Sequence, residues 1–189
     1  MHILLIYPEI GDTPLTFRTV LACIGKQAYT PPLGLLTVAA LLPPDWDVRL
    51  DDMNVAPLVD EGLQWADCVM IGGMSVQKRS ARHVLGRCRQ HNKTLIGGGP
   101  LFTFERDLAS DVDGVVSDEA EVSIPRLIAD LETGRRAGLY TSHALADMAA
   151  SPVPAWDLVS PRAYLAGIVQ YSRGCPNKCD FCNVSSLLG

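Results

Sequence analysis

Five short apolar runs, separated by stretches of helical periodicity, constrain this chain more than any other feature. The runs cover residues 3–7, 47–51, 68–71, 94–96 and 114–116. Several are apolar without alternation, as strands of a parallel sheet covered on both faces are. Between them, Ala81, Val84, Leu85 and Cys88 fall at i, i+3, i+4 and i+7, which lays one apolar stripe along a helix over residues 76–91. Its other face, with Lys78, Arg79, Arg82, Arg87 and Arg89, is a solvated one. Ala120, Ile124, Leu127, Ile128 and Leu131 repeat the pattern over residues 119–133, and Gly134 supplies a stop. Pro125 is compatible with that helix only if its regular part begins near Ser123.

Alternating strand and helix predicts an α/β domain over residues 1–141, doubly wound, with five parallel strands in flavodoxin-like order. Ligands of such folds bind beyond the carboxyl ends of the strands. Here those ends are Tyr7-Pro8, Gly72-Gly73-Met74-Ser75, Gly97-Gly98-Gly99-Pro100 and Ser117-Asp118-Glu119. Two are glycine-rich, which permits close approach to the backbone. Residues 142–166 change character: Pro152, Pro154 and Pro161 prevent one continuous helix, and the segment reads as a linker with Trp156 as its packing anchor. Residues 167–172 look like a fresh strand that opens a further unit over residues 167–189.

Composition narrows the function classes. With 48% apolar residues in 189, a packed core is expected, and the net charge of −5 argues against a protein that grips nucleic acid through its phosphates. The start of the chain lacks the basic region and long apolar stretch of a signal peptide. The longest near-apolar run, residues 33–42, is about half the roughly 20 residues a membrane helix needs. A soluble cytoplasmic protein without a transmembrane segment is expected, and its six cysteines point to metal ligands or core thiols before disulfides.

Three of the cysteines stand close together, in Cys175-Pro176-Asn177-Lys178-Cys179-Asp180-Phe181-Cys182, with the spacing C-x3-C-x2-C. Three thiolates on one short loop can hold three corners of a cubane iron–sulfur cluster and leave the fourth iron open. Structural zinc usually takes four protein ligands, often as two C-x2-C knuckles, and this loop offers three at unequal spacing. Spacing alone leaves an iron–sulfur cluster, zinc and inert thiols as the readings, in that order.

The longer stretch from Ser172-Arg173-Gly174-Cys175-Pro176 to Phe181-Cys182 resembles the radical S-adenosylmethionine signature, whose last cysteine follows an aromatic residue. The resemblance implies that Cys175, Cys179 and Cys182 hold a 4Fe-4S cluster. It implies that the open iron chelates S-adenosylmethionine, with Phe181 near the adenine. It further implies that an electron from the cluster, ultimately from an external donor of flavodoxin or ferredoxin type, cleaves the sulfonium to a 5′-deoxyadenosyl radical.

The α/β domain ahead of this loop is similar to the cobalamin-binding domain of one branch of that superfamily. The likeness rests on the Pro31-Pro32-Leu33-Gly34-Leu35 segment, the Ile96-Gly97-Gly98-Gly99-Pro100 loop and the acidic turn Asp118-Glu119-Ala120-Glu121. It is nearest to the hopanoid C-2 methylase-like subgroup. By that resemblance Pro8, Gly72, Gly73, Ser75, Gly98, Gly99 and Pro100 border cobalamin, and Glu119 and Glu121 reach its nucleotide tail. The residues themselves leave two readings open: each glycine also suits a tight strand-to-helix turn, and each glutamate also favours the start of a helix.

The sequence departs from the methionine synthase type of cobalamin domain, which carries Asp-x-His-x-x-Gly after its first strand. Pro8-Glu9-Ile10-Gly11-Asp12 contains no histidine, and His2, His83, His91 and His143 lie elsewhere, so any bound cobalamin is expected to lack a histidine ligand. Cys68 and Cys88 fall on predicted core positions and read as buried small hydrophobes. Together with Cys23 they match in number the second-cluster cysteines of methylthiotransferases, a minor alternative without the surrounding motifs.

The resemblance implies the N-terminal part of a cobalamin-dependent radical methyltransferase acting on an unactivated carbon of a small-molecule or lipid-like substrate. The sequence ends seven residues after Cys182, whereas a complete radical barrel needs about 150–200 more. A stand-alone cobalamin-binding module, or a fragment with a vestigial cluster loop, is the alternative.

Overall fold

The computed structural model describes residues 1–11, 16–136, 138–142, 144–177, 179–180 and 182–184. Its strands are β1 (His2–Tyr7), β2 (Asp47–Asp52), β3 (Cys68–Gly72), β4 (Thr94–Gly98), β5 (Gly114–Val116) and β6 (Gly138–Tyr140). Its helices are α1 (Arg18–Cys23), α2 (Leu33–Leu41), α3 (Asp60–Trp65), α4 (Lys78–Gln90), α5 (Gly99–Phe104), α6 (Arg106–Ala109) and α7 (Ala120–Glu132). The strands form one sheet in the order β2-β1-β3-β4-β5-β6, and every pairing is parallel.

Alternation along β1 sorts its side chains between two cores. Leu4 and Ile6 point to the face covered by α3, α4 and α5, where Leu63, Val84, Leu85 and Phe102 meet them. Ile3 and Leu5 point to the face covered by α2 and α7, against Leu35, Ile124 and Leu127. All four β1 residues are fully buried, each contributing roughly 1.5–3 kcal/mol of apolar burial. The doubly wound α/β fold expected from the sequence is therefore present. Its switch point lies between β1 and β3, because the connections from β1 run outward in opposite directions.

The structure corrects the expectation at four places. The sheet has six strands: β6 adds beside β5, placing Tyr140 in the core at 1% exposure. Gly138-Leu139-Tyr140 carries little hydropathy signal, because only Tyr140 of the three is buried.

Helix α7 starts at Ala120, ahead of Ser123, with Pro125 inside it. The proline can stand there because only the Glu121 carbonyl loses its intrahelical donor. The expected glycine stop is realised: Gly134 has φ 77, and its N–H and that of Arg135 donate to the Leu131 and Asp130 carbonyls.

Residues 167–172 belong to no strand, and Val169 and Tyr171 are 92% and 98% exposed. The run has strand composition but no neighbouring strand among the described residues to pair with. Finally, Trp156 is only half-buried and does not anchor the linker. That role falls to Ala163 and Tyr164, which pack with Ala28, Val55 and Val159, and to Ala155 and Leu158 against the α2–α7 core.

No helix among the described residues is long and apolar enough to cross a membrane.

Candidate cofactor edge and cysteine loop

The carboxyl edge of the sheet is tied together by polar side chains beneath its surface. Gln77, fully buried, accepts from the Met74 N–H through Oε1 (2.7 Å) and donates through Nε2 to the Pro8 carbonyl. It thereby fixes the loop after β3 to the end of β1. Asn54 donates to the same Pro8 carbonyl (3.3 Å) and to Asp52 Oδ1 (2.8 Å), and accepts from the Ile10 N–H (2.8 Å). The loops after β3 and β4 join where the Leu101 N–H donates to the Gly73 carbonyl at 2.9 Å.

The glycines along this edge are used for packing. A Cβ on Gly72 would stand 2.9 Å from Leu35 Cδ2, and one on Gly73 would stand 2.7 Å from Gln77 Oε1. Gly99 has φ 73, the left-handed conformation that favours glycine, and backs onto the Gly73 carbonyl. Pro8, Gly72 and Glu119 are buried, Glu121 is largely buried, Gly73 and Gly98 are half-exposed, and Ser75, Gly99 and Pro100 are open to solvent. Met74 and Val76, in the loop after β3, add exposed apolar surface at 45% and 63%.

Glu119 and Glu121 face a partner that the sequence reading did not give them. Arg173, two residues before Cys175, donates through Nη1 to Glu119 Oε2 (2.9 Å) and Glu121 Oε2 (2.8 Å), and through Nη2 to Glu121 Oε1 (2.5 Å). Its Nε donates to Gln170 Oε1 at 3.0 Å. Glu119 also accepts from the Ala146 N–H (2.9 Å), and Glu121 from the Ser151 hydroxyl (2.7 Å). The three charged side chains are 14%, 4% and 9% exposed. Burial alone would push the Glu121 carboxyl up, but the bonds from Arg173 and Ser151 outweigh it and hold it at about 2. The forked guanidinium on two carboxylates is the strong, directional form of ion pair.

The cysteine loop follows directly. Gly174, between Arg173 and Cys175, has φ 84, the left-handed conformation that favours glycine, and the chain bends at Pro176. Cys175 and Cys182 are half-exposed and Cys179 is exposed, and the Cys182 N–H donates to the Cys179 carbonyl at 3.0 Å. Asn177 Nδ2 lies 3.8 Å from the Cys175 sulfur. Among the described residues no three His, Cys, Asp or Glu side chains converge at metal-binding distance. The thiols share one loop, in the chemistry a cluster needs, without being drawn together. Phe181, expected beside S-adenosylmethionine, lies outside the described residues, as does His143.

Cys68, Cys88, His2 and His91 lie away from this edge. Cys68 belongs to the α2–α7 core and Cys88 to the opposite one, so the sheet separates them and they cannot share a cluster with Cys23. His2 stacks on Trp65 with centroids 4.7 Å apart near the amino end of β1, and His91 lies 3.6 Å from Asp60. Sequence reasoning missed Asp52, Asn54, Gln77, Tyr164 and Arg173. Only Arg173 carried a signal, as a basic residue in the cysteine motif with an acidic turn to match.

No protein-family profile matches the chain. It is 36% identical over 191 residues to an uncharacterized methyltransferase of Synechocystis, covering 100% of this chain and 36% of the relative. It is 33% identical over 193 residues to the hopanoid C-2 methylase of Rhodopseudomonas palustris, again over 100% of the chain and 37% of the relative. The anaerobic magnesium-protoporphyrin IX monomethyl ester cyclase of Synechocystis is 28% identical over 189 residues, 80% of this chain and 38% of that protein. The chain thus spans little more than a third of the length of these curated relatives.

Proposed function

From the premise that this chain is a radical S-adenosylmethionine methylase-like protein, of the kind that includes the hopanoid C-2 methylase, we propose that it is the cofactor-binding part of a cobalamin-dependent enzyme that methylates an unactivated carbon. The observation that carries the reading is the three-thiolate loop beginning two residues after an arginine fastened to the ligand edge of an α/β sheet.

Cys175, Cys179 and Cys182 are the ligands of a 4Fe-4S cluster in this reading, and Phe181 lies against S-adenosylmethionine. When bound, the cluster supplies the electron that cleaves S-adenosylmethionine, and cobalamin supplies a methyl carrier. The fit of the cluster rests on its donor set: three soft thiolates on one loop, with a left-handed glycine before the first.

The fit of cobalamin rests on the shape and chemistry of the edge. Gly73, Ser75, Gly98, Gly99 and Pro100 offer accessible backbone, and Met74 and Val76 offer apolar contact. Pro8 and Gly72 shape that edge from beneath, while Glu119 and Glu121 act on it through Arg173. Any cobalamin bound here is read as lacking a histidine ligand, since Pro8-Glu9-Ile10-Gly11-Asp12 after the first strand holds no histidine. The substrate is a small or lipid-like molecule, the electron donor a flavodoxin or ferredoxin type protein, and the setting the cytoplasm.

Anaerobic reconstitution of the longest available form with iron, sulfide and hydroxocobalamin tests both cofactors by optical and EPR spectroscopy. About four irons per chain are expected, lost in the variant carrying Cys175→Ala, Cys179→Ala and Cys182→Ala together, with cobalamin absorption retained after desalting in both. A full cluster in the triple variant overturns the metal assignment. Loss of cobalamin on desalting the unmutated protein overturns the assignment of the α/β domain.

A further inference from the structure

Two anchors fasten the segment that leads into the cysteine loop, and they stand at different strands of the same edge. The first is Tyr164, whose hydroxyl donates to Asp52 Oδ2 at the end of β2; beside it the Leu165 and Ala166 N–H groups donate to the Ala28 and Tyr29 carbonyls. The second is Arg173, held by Glu119, which caps α7 after β5, and by Glu121 in the first turn of α7. From β2 to β5 the sheet order runs through β1, β3 and β4, about 19 Å at the usual strand spacing. The chain from residue 164 to 173 reaches at most about 30 Å when extended. Residues 167–172 therefore bridge the β2 and β5 ends of the carboxyl edge as a strap, exposed along its length and part of no strand.

We infer that Arg173 is the positioning residue of the cysteine loop: its guanidinium, gripped by Glu119 and Glu121, sets where that loop begins relative to the ligand edge of the α/β domain. The inference rests on the reading of Cys175, Cys179 and Cys182 as cluster ligands. Cys175 follows Arg173 by two residues, so its Cα lies within about 7 Å of the anchored one. A thiolate that close to a fixed point inherits its placement. Four hydrogen bonds from Nε, Nη1 and Nη2 leave the guanidinium little freedom to swing. An unanchored loop would carry the same thiolates without a defined relation to the sheet.

Two measurements read the two halves of this inference, in the unmutated chain, in Glu119→Gln/Glu121→Gln and in Arg173→Lys. The first is tryptic cleavage of the Arg173–Gly174 bond, or of the corresponding lysine bond, with cleavage after exposed Arg162 as internal control. Release of the side chain from its two carboxylates should speed cleavage at 173 at least about 10-fold and leave 162 unchanged. Residue 173 lies outside the sheet, so Arg173→Lys keeps the test valid if the double glutamine variant folds poorly.

The second is the EPR spectrum of the reduced cluster after reconstitution with iron and sulfide. Both variants should hold the same iron per chain but give broadened, shifted features from a loop with no single placement. Equal cleavage at 173 in all three proteins overturns the anchor. Faster cleavage with an unchanged spectrum overturns the positioning role. Absence of a cluster from the unmutated chain overturns the cluster reading and positioning together, while cleavage still reports on the anchor alone.

Discussion

The Tyr164 hydroxyl donates a hydrogen bond to Asp52 Oδ2 at 3.0 Å, joining residues 112 apart in sequence inside the protein. Asp52 ends β2, and its other oxygen takes the Asn54 N–H and side-chain amide, each at 2.8 Å. Burial pushes the Asp52 carboxyl up, and the bonds from Asn54 and Tyr164 work against it. Tyr164→Phe keeps the ring and removes the bond. We expect a loss of about 1–3 kcal/mol in urea unfolding, with faster amide exchange at Leu165 and Ala166. An unchanged midpoint and unchanged exchange would mean that packing alone holds the linker.

Two glycines should respond oppositely to alanine. A Cβ on Gly97, in β4, would run into the Phe102 ring, whereas one on Gly86, on the exposed side of α4, meets nothing within 4 Å. Gly97→Ala should cost roughly 1–3 kcal/mol through overpacking of a fully buried ring. Gly86→Ala should add about 0.5–1 kcal/mol through helix propensity and a restricted unfolded chain. Paired thermal melts decide the matter, and a shared sign would contradict the packing described for β4.

Acid should loosen the strap before it unfolds the sheet. The Glu121 carboxyl is held at about 2 against an ordinary value of 4.5. The unfolded chain therefore binds the proton first as pH falls, and the contribution of Glu121 is fully present above pH 4.5 and lost between there and pH 2. Glu121→Gln should flatten the stability profile in that window. Titration of the unfolding midpoint from pH 6 to about pH 3 in both proteins would show it, and parallel curves would speak against the Arg173 bonds.

Thiol labelling should divide the cysteines into three groups under native, cofactor-free conditions. Cys23 and Cys179 are exposed, Cys175 and Cys182 half-exposed, and Cys68 and Cys88 buried. Burial pushes the Cys68 thiol up to about 12 and that of Cys88 to about 11, so neither offers thiolate at neutral pH. A disulfide reagent at pH 8 should modify Cys23 and Cys179 first and reach Cys68 and Cys88 only with global unfolding. Mass mapping of early adducts on either core cysteine would refute its burial.

The core of the fold was legible because burial on two faces leaves a simple trace. Ile3 to Ile6, Cys68 to Ile71 and the α4 stripe of Ala81, Val84, Leu85 and Cys88 all lie where their patterns put them. What escaped notice depends on partners far away in sequence. Gly138–Tyr140 is a strand only because β5 stands beside it, and residues 167–172 fail to be one because no strand among the described residues does.

Polar side chains were the hardest to read. Gln77 looks like any surface glutamine until the Pro8 carbonyl and Met74 N–H close around it. The acidic turn and the arginine of the cysteine motif were each conspicuous alone. Their meeting across 52 residues, from Glu121 to Arg173, carries no local pattern at all.

The all-parallel sheet has a consequence for the order in which the molecule assembles. Parallel neighbours cannot be joined by a tight turn, so every pairing here waits for a crossover to form. A nucleus built from such distant contacts forms slowly, on the order of milliseconds to seconds for comparable domains. Asp52 and the Glu119–Glu121 turn acquire their final places only once that sheet exists. The strap can dock no earlier, and in the native protein it can detach without disturbing the strands beneath. The thiols of the cysteine loop thus take their place against the edge only after the sheet beneath them exists.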